Sequence, residues 1–577
     1  MLMTLVAIAL APCCRKVDCS KGGTPSPAIR NTAYGQVIGA DDATNSGTYY
    51  WKGVPFAKAP VGALRWHAPV EPDAWTGPLT TRAFGEASVQ YGRIYGPGLH
   101  NTYDATIATT LNQAVGSEDC LSLNIWRPAS LAVNLPVIYF IYGGSNVSGY
   151  TADPIYDGAA LARSAKAVVV TANYRVGVLG WLNLPQLKSG TDPQGDSGNY
   201  GTLDQILTLK FINRNIANFG GDPGNVTVMG QSAGAVDAYS LLTSPQVVGA
   251  IPQLFHKAIL MSGGLALPTD LPPGCVPTLK PASYSQSQAS ELLYGLLIAD
   301  GFATDDKTAA NYVATRTSAQ IATYMRSKTP GELFKQVLTK LTPAGLGSTY
   351  HIPDGVIVAE SPLAAIKAGN YLKVPLIVSN TRDETRMFTP FLALSPALGG
   401  VPGLIVDDAT RFRMMMNFDG DAAPTLTEKE LINPAYLPAE TKVTGYYARL
   451  AKLNDIFFIA NRDAMLKALA AQQSNIWYYQ FNWDQEPAPW NVVYGAAHLM
   501  DLPFVFGNFG PSAFSNTINS TANKGGRLAL SEAMMGAIGA FARNGDPNHA
   551  ALGLTWPVWP KKLVFDATLT DKKISVQ

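Results

Sequence analysis

The sequence predicts an α/β fold: a large, mostly parallel central sheet flanked by helices, with a helical lid or cap region. Three observations carry this reading. Apolar, β-branched runs recur at Leu135 to Ile141, Ala167 to Thr171, Val226 to Met229, Lys257 to Met261, Val374 to Val378 and Asn475 to Phe481. Helical patterns separate most of them, and that alternation is what strands covered by helices on both faces require. Between two of these runs, Leu203, Ile206, Leu207, Lys210, Phe211 and Ile216 recur near a 3.6-residue period, and the pattern stops at Gly220-Gly221, a helix ended by glycine.

Taken in chain order, Met1 to Ala11 is apolar but too short to cross a bilayer, so no stable membrane span is expected. It reads as the core of an export signal, although no Lys or Arg precedes it. Residues 1–27 are therefore expected to be an export signal or N-terminal tail, which places the protein outside the cell, in a periplasm or at the cell surface. Cys13 is a candidate for lipid anchoring, with Pro12 a poor residue before it. Tyr34 to Ile38 and Thr48 to Trp51 look like antiparallel edge strands. From Leu123 the strand and helix alternation begins. Residues 265–372 are richer in helix formers and polar residues and are expected to form a lid-like insertion. No linker, charge block, low-complexity tract or repeat divides the rest, so 28–577 is expected to be a single catalytic domain.

Composition narrows the function. Of 577 residues, 47% are hydrophobic, with 53 glycines and 40 prolines, as in a loop-rich globular enzyme rather than a disordered or fibrous chain. A net charge of +1 with scattered basic residues gives no electrostatic track for nucleic acid. The 5 cysteines (Cys13, Cys14, Cys19, Cys120 and Cys275) form no CxxC or Cys/His cluster, so neither metal nor cofactor is expected.

Gly230-Gln231-Ser232-Ala233-Gly234, directly after a β-rich run, has the form of a nucleophile elbow. Small neighbours let the backbone turn sharply from strand to helix and hold the Ser232 hydroxyl above the sheet edge. A helix over Ala235 to Leu242 would point its N-terminus at the same place. The pattern alone is weak, because such a loop is often an ordinary turn. Its value depends on partners that follow in the order acid, then histidine.

A serine hydroxyl is a poor nucleophile at neutral pH and needs a base. Of the 6 histidines, His67 and His100 precede the nucleophile, His256 starts a strand, His351 lies in the lid-like region and His549 follows a surface turn. His498 remains, in the small-residue loop Gly495 to Asp501 beyond a late strand, where reacting groups of an open α/β sheet gather. The base needs a carboxylate to fix its tautomer. Glu384 and Asp383, after the strand that ends near Ser379, fit equally well on the residues alone. N–H donors for a tetrahedral intermediate are offered by Tyr142-Gly143-Gly144-Ser145-Asn146 after an earlier strand, and by Ala233.

Further motifs run in order along the chain: Gly53-Val54-Pro55-Phe56-Ala57, Ser117 to Trp126, Asn173-Tyr174-Arg175-Val176-Gly177, Gly198 to Gln205, Phe219 to Pro223 and Gly545-Asp546-Pro547-Asn548. With these the chain resembles the type-B carboxylesterase/lipase family, the cholinesterase-like α/β-hydrolases, from Gly35 to about Trp559. The resemblance implies the α/β-hydrolase fold. It assigns Glu384 as the acid, His498 as the base and Gly144, Ser145 and Ala233 as oxyanion donors. Four departures stand out. Ser145 replaces a usual third glycine, Gln231 a usual glutamate, and Thr385 a glycine. Cys120 lacks the partner near Ser88 that the family's disulfide would need, so the loop 88–117 is expected to be freer or Cys120 to pair elsewhere.

The expected activity is hydrolysis of a small-molecule or polymeric carboxylic ester through an acyl-enzyme. The loop 88–117 carries Tyr91, Tyr95 and Tyr103 but no Trp. That disfavours the aromatic capture of a choline cation and favours uncharged, aromatic or bulky esters. Two other readings stay open: acyl transfer or amide cleavage by the same residues, and a non-catalytic binding protein. The sequence leaves the oligomeric state undetermined.

Overall fold

The computed structural model describes residues 27–577; the expected export leader, with Cys13, Cys14 and Cys19, lies outside the described residues. In chain order the strands are β1 Ile29–Thr32, β2 Gly35–Ile38, β3 Ala40–Asp42, β4 Thr48–Pro55, β5 Leu79–Thr80, β6 Gln90–Tyr91, β7 Ala114–Val115 and β8 Ser122–Pro128. They continue with β9 Leu135–Ile141, β10 Val168–Ala172, β11 Gly221–Gln231, β12 Lys257–Met261, β13 Leu376–Thr381, β14 Ile476–Phe481, β15 Leu563–Ala567 and β16 Lys572–Val576.

An 11-stranded sheet dominates, in the order β16-β15-β14-β13-β12-β11-β9-β10-β8-β4-β3. From β10 across to β15 every neighbouring pair is parallel, and antiparallel pairs close both edges. The sequence reason is plain in β9, β10 and β12, whose residues are all buried: apolar on both faces, they are stable only under helices on both sides. Each fully buried Val, Leu or Ile contributes roughly 1.5–3 kcal/mol relative to exposure. The Tyr34 to Ile38 run does not join this sheet; β1, β2 and β5 form a separate three-stranded one.

Two topological facts position the site. The chain leaves β9 for β10 on one side and then returns to β11 on the other, so a crevice opens at the carboxyl ends of β9 and β11. The helix predicted over 203–219 runs Tyr200–Asn215, tightens to a 3₁₀ turn over Ile216–Phe219 and stops at Gly220, φ 83°, which returns the chain to β11.

Between β12 and β13 lie the helices Ala282–Ala299, Asp306–Ala314, Ser318–Arg326 and Pro330–Gln336. Thr317 and Thr329 cap the last two, accepting from the N–H groups of Gln320 and Glu332. This block has its own core of Leu292, Leu296, Ile321, Met325, Leu333 and Phe334, packed with Trp66 and Val178. Among the described residues no helix is long and apolar enough to cross a membrane.

The loop 88–117 is tied down without a disulfide: β6 pairs with β7, Ser88 bridges Ser117, and Tyr95 stacks on Phe514 at 5.2 Å. The expected freer loop is therefore not what the structure has. Cys120 and Cys275 are both free thiols, and burial pushes the Cys120 thiol up to about 12.

Candidate active site

The elbow is set by close backbone approach. A Cβ on Gly230 would sit 2.1 Å from the Gly234 carbonyl oxygen, and one on Gly234 would sit 2.1 Å from the Ile141 carbonyl oxygen, so both positions must be glycine. Ser232 between them has φ 59° and ψ −125°, an unfavourable conformation for a residue with a side chain. Its N–H donates to the Met261 carbonyl at 2.8 Å, and its own carbonyl starts the helix Ala233–Thr243 by accepting from Ala235 and Val236. Ser232 is half-buried, so solvent reaches this edge.

The glycine loop lies directly against it. A Cβ on Gly143 would be 2.7 Å from the Ser232 Cβ. Gly144 has φ 114°, Ser145 φ 58° and Asn146 φ 56°. Ser145 thus occupies the left-handed region that a glycine would take freely, at a cost on the order of 1 kcal/mol. Among the described residues, the N–H groups of Gly144, Ser145 and Ala233 have no acceptor, which leaves them available to a ligand oxygen.

Glu384 and His498 are brought together directly. The ring Nδ1 lies 2.5 Å from Glu384 Oε2, with both side chains at most 1% exposed. The other carboxylate oxygen accepts from Asn380 Nδ2 at 2.9 Å and from the Thr381 N–H at 2.8 Å. Burial pushes the Glu384 carboxyl up, but the His498 charge and the hydrogen bonds of His498 and Asn380 outweigh it and hold the group below its ordinary range. Asp383, equal to Glu384 on the residues alone, has another task. It pairs with Arg382 at 2.7 Å and Arg386 at 3.2 Å, and its N–H donates to the Ala496 carbonyl, which joins the acid and histidine loops. Thr385, in place of a glycine, donates its hydroxyl to the Leu450 carbonyl at 2.6 Å.

With the Nδ1–H donating to Glu384, His498 Nε2 is an acceptor. It faces the Gln231 side-chain amide at 3.3 Å rather than the Ser232 hydroxyl, which makes no hydrogen bond to it in this state. Gln231 is fully buried and its Oε1 has no partner.

Several neighbours escaped the sequence reading. Phe388 and Phe458 pack on the His498 ring at centroid distances of 5.1 and 4.8 Å. Phe391 stacks on Phe388 at 5.7 Å and meets Phe457 at 5.9 Å. Asp501, fully buried, accepts from the Tyr479 hydroxyl at 3.1 Å; burial, and then the nearby Glu384, push its carboxyl up to about 7. A cavity of about 500 Å³ borders the acid loop through Arg382 and Arg386, but none of Ser232, Glu384 and His498 lines it. Among the described residues, no three His, Cys, Asp or Glu side chains are grouped to hold a metal ion. The arrangement is a hydroxyl, an imidazole oriented by a carboxylate, and free N–H donors converging at one sheet edge, a set suited to acyl transfer.

Comparison with known proteins agrees with that chemistry. The family model for the carboxylesterase family matches residues 26–573. The chain is 33% identical over 536 residues to a fumonisin B1 esterase of Sphingopyxis macrogoltabida, covering 92% of this chain and 84% of that protein. It is 30% identical over 561 residues to the para-nitrobenzyl esterase of Bacillus subtilis, covering 94% and 95%. Among solved structures it is similar to a carboxylesterase of Geobacillus stearothermophilus, with a TM-score of 0.69 and 26% identity over 95% of this chain and 98% of that one.

Proposed function

Because the chain belongs to the carboxylesterase family and hydrolyses carboxylic esters, we propose that the reaction runs through an acyl-enzyme on Ser232, with His498 as base and acid. Glu384 orients the histidine, and the N–H groups of Gly144, Ser145 and Ala233 receive the oxyanion. The observation that carries this reading is the buried 2.5 Å pair of Glu384 and His498 at strand ends beside the Ser232 elbow. Burying both groups is costly unless each satisfies the other, and the pairing leaves Nε2, which lies beside Gln231 next to the nucleophile, as the basic atom of the ring.

As the Ser232 oxygen bonds to the ester carbonyl carbon, its proton passes to His498 Nε2, and the Nδ1–H stays with Glu384. The carbonyl oxygen, now negative, takes the free N–H groups. Collapse breaks the bond to the alcohol, which leaves with the proton from Nε2. Water then repeats the sequence on the acyl-enzyme: it gives a proton to Nε2, attacks, and releases the acid as the proton returns to Ser232.

For the substrate, the phenylalanines support uncharged aromatic or bulky esters. Phe391, 37% exposed, leads through Phe388 and Phe457 to Phe458 at the histidine, an apolar aromatic face from solvent to the base. The same face would take the end of a polymeric ester. The lid-like insertion, residues 265–372, is read as a cap whose helices pack on Trp66 and Val178. With ester hydrolysis given by the family, the non-catalytic reading drops out; acyl transfer and amide cleavage by the same residues stay as rates to be measured.

The test is hydrolysis of p-nitrophenyl acetate, butyrate and octanoate, beside the matching anilides, by wild type and Ser232→Ala. Activity lost with Ser232 supports the mechanism. Ester turnover unchanged in Ser232→Ala contradicts it.

A further inference from the structure

We propose that Asp237, acting through Asn146, is a positioning residue that sets the oxyanion donors against one another. The proposal rests on the roles given above to Gly144, Ser145 and Ala233, and extends them to residues outside the triad.

The donors belong to two elements. Gly144 and Ser145 lie on the loop after β9, and Ala233 opens the helix after β11. Both must converge on one oxygen at about 2.7–3.1 Å, so the spacing of the two elements is itself a catalytic quantity. The loop does not hold its shape through glycine alone. Ser145 and Asn146 follow with φ 58° and 56°; asparagine tolerates this region, but Ser145 is disfavoured in it, so the loop needs an anchor.

What holds Asn146 there is a buried network. Its carbonyl accepts from the Gly177 N–H at 2.6 Å, and its Nδ2 donates to Asp237 Oδ1 at 2.9 Å. The other Asp237 oxygen accepts from Gln205 Nε2 at 2.6 Å. His351 Nε2 lies 3.1 Å from Oδ1, within ion-pair distance although off the line of a hydrogen bond, with its ring edge-on to Trp181 at 5.4 Å. Exposure is 0% for Asp237 and Gln205, 1% for His351 and 3% for Asn146.

A carboxyl group in the apolar helix Ala233–Thr243 is expensive to bury and is kept only where its oxygens are used. Asp237 lies four residues after Ala233, on the same helix face. The link from Asp237 to Asn146 therefore joins the helix that carries one donor to the loop that carries the other two. Gln205 holds the carboxyl from a further segment, with the His351 ring packed beside it, so it cannot swing with the loop. Both Asp237 oxygens are engaged, and a buried carboxylate held at both oxygens favours one geometry over an ensemble.

The experiment compares wild type, Asp237→Asn, Asn146→Ala and the double variant on p-nitrophenyl butyrate, with two ligands. One is a trifluoromethyl ketone carrying the butyryl chain, which takes up the tetrahedral oxyanion; the other is butyrate, which does not. Near-ultraviolet circular dichroism reports that each variant is folded. Each single variant should lower kcat roughly 10- to 100-fold with KM changed less than about twofold. The ketone should weaken by the same factor as kcat/KM, butyrate binding should hold, and the double variant should be no worse than the poorer single one. A folded Asp237→Asn with wild-type kcat and ketone affinity overturns the proposal, as does equal weakening of ketone and butyrate, which a merely structural role predicts. If Asp237→Asn does not fold, Asn146→Ala decides by the same readouts. Activity retained by Ser232→Ala would remove the mechanism and this proposal together, whereas Ser232-dependent activity indifferent to Asp237 and Asn146 removes the proposal alone.

Discussion

The two halves of the site are held by different physics. On the Glu384 and His498 half positive φ is confined to Gly495 and Leu499 in the histidine loop, and the work is done by side chains: a buried carboxylate with three donors, and a ring between that carboxylate and two phenylalanines. On the Ser232 half the backbone carries the geometry, with Ser232, Ser145 and Asn146 all in the left-handed region and glycines where chains nearly touch, and side chains serve to anchor it through Asn146 and Asp237. The first half should respond to charge and pH, the second to conformational freedom. Substitutions can separate the two.

The largest effect is expected on the charged half. His498→Ala should lower kcat about 10⁴- to 10⁶-fold on p-nitrophenyl butyrate, measured in initial rates. Glu384→Gln keeps the shape but disturbs the tautomer, and should cost about 10³- to 10⁴-fold. If Asp383→Asn costs as much as Glu384→Gln, the assignment of the acid is wrong.

The same half should show opposite pH signatures in two carboxyl groups. Glu384 is held below its ordinary range when folded, so its contribution is present above about pH 4.3 and lost as the pH falls through its lower, folded-state value. Asp501 is pushed up to about 7, so between about pH 4 and 7 the unfolded chain has lost a proton that the folded protein keeps, and stability falls as pH rises through that window. Asp501→Asn removes this dependence. It should raise the apparent Tm at pH 8 by roughly 1–3 °C and leave it unchanged at pH 4, read by differential scanning calorimetry. An equal shift at both pH values would mean that packing, not ionisation, is responsible.

The smallest effect is expected where a substitution relieves the backbone without touching a charge. Ser145→Gly frees a left-handed position without touching a charge, and kcat should stay within about threefold because the Asn146 to Asp237 link still shapes the loop. A large loss would show that the Ser145 side chain itself acts in the reaction.

What the sequence disclosed follows the same division. Backbone demands are local: the glycines of the elbow, the apolar runs of β9, β10 and β12, and the glycine stop at Gly220 are written in adjacent residues. Their positions were legible, with ends displaced by a few residues, as where the helix begins at Tyr200 rather than Leu203. Side-chain partnerships are not local. Gln231 meets His498 across 267 positions and Glu384 meets His498 across 114, and periodicity reports which face is buried but not what it is buried against. Glu384 and Asp383 were therefore indistinguishable until the resemblance was used, and Phe388, Phe458 and Asp501 gave no signal. Asp237 did give one: a carboxyl in the otherwise apolar helix Ala233–Thr243 marks a buried partner, and His351, set aside as part of the lid-like region, lies beside it.

The most direct test of the mechanism is covalent labelling. Wild-type protein is incubated with a fluorophosphonate and digested, and the modified residue is located by tandem mass spectrometry, beside His498→Ala and Ser232→Ala. The account predicts one adduct, on Ser232, forming at least about 10³-fold more slowly in His498→Ala and absent in Ser232→Ala. Labelling of a different residue, or a rate on Ser232 indifferent to His498, would contradict it.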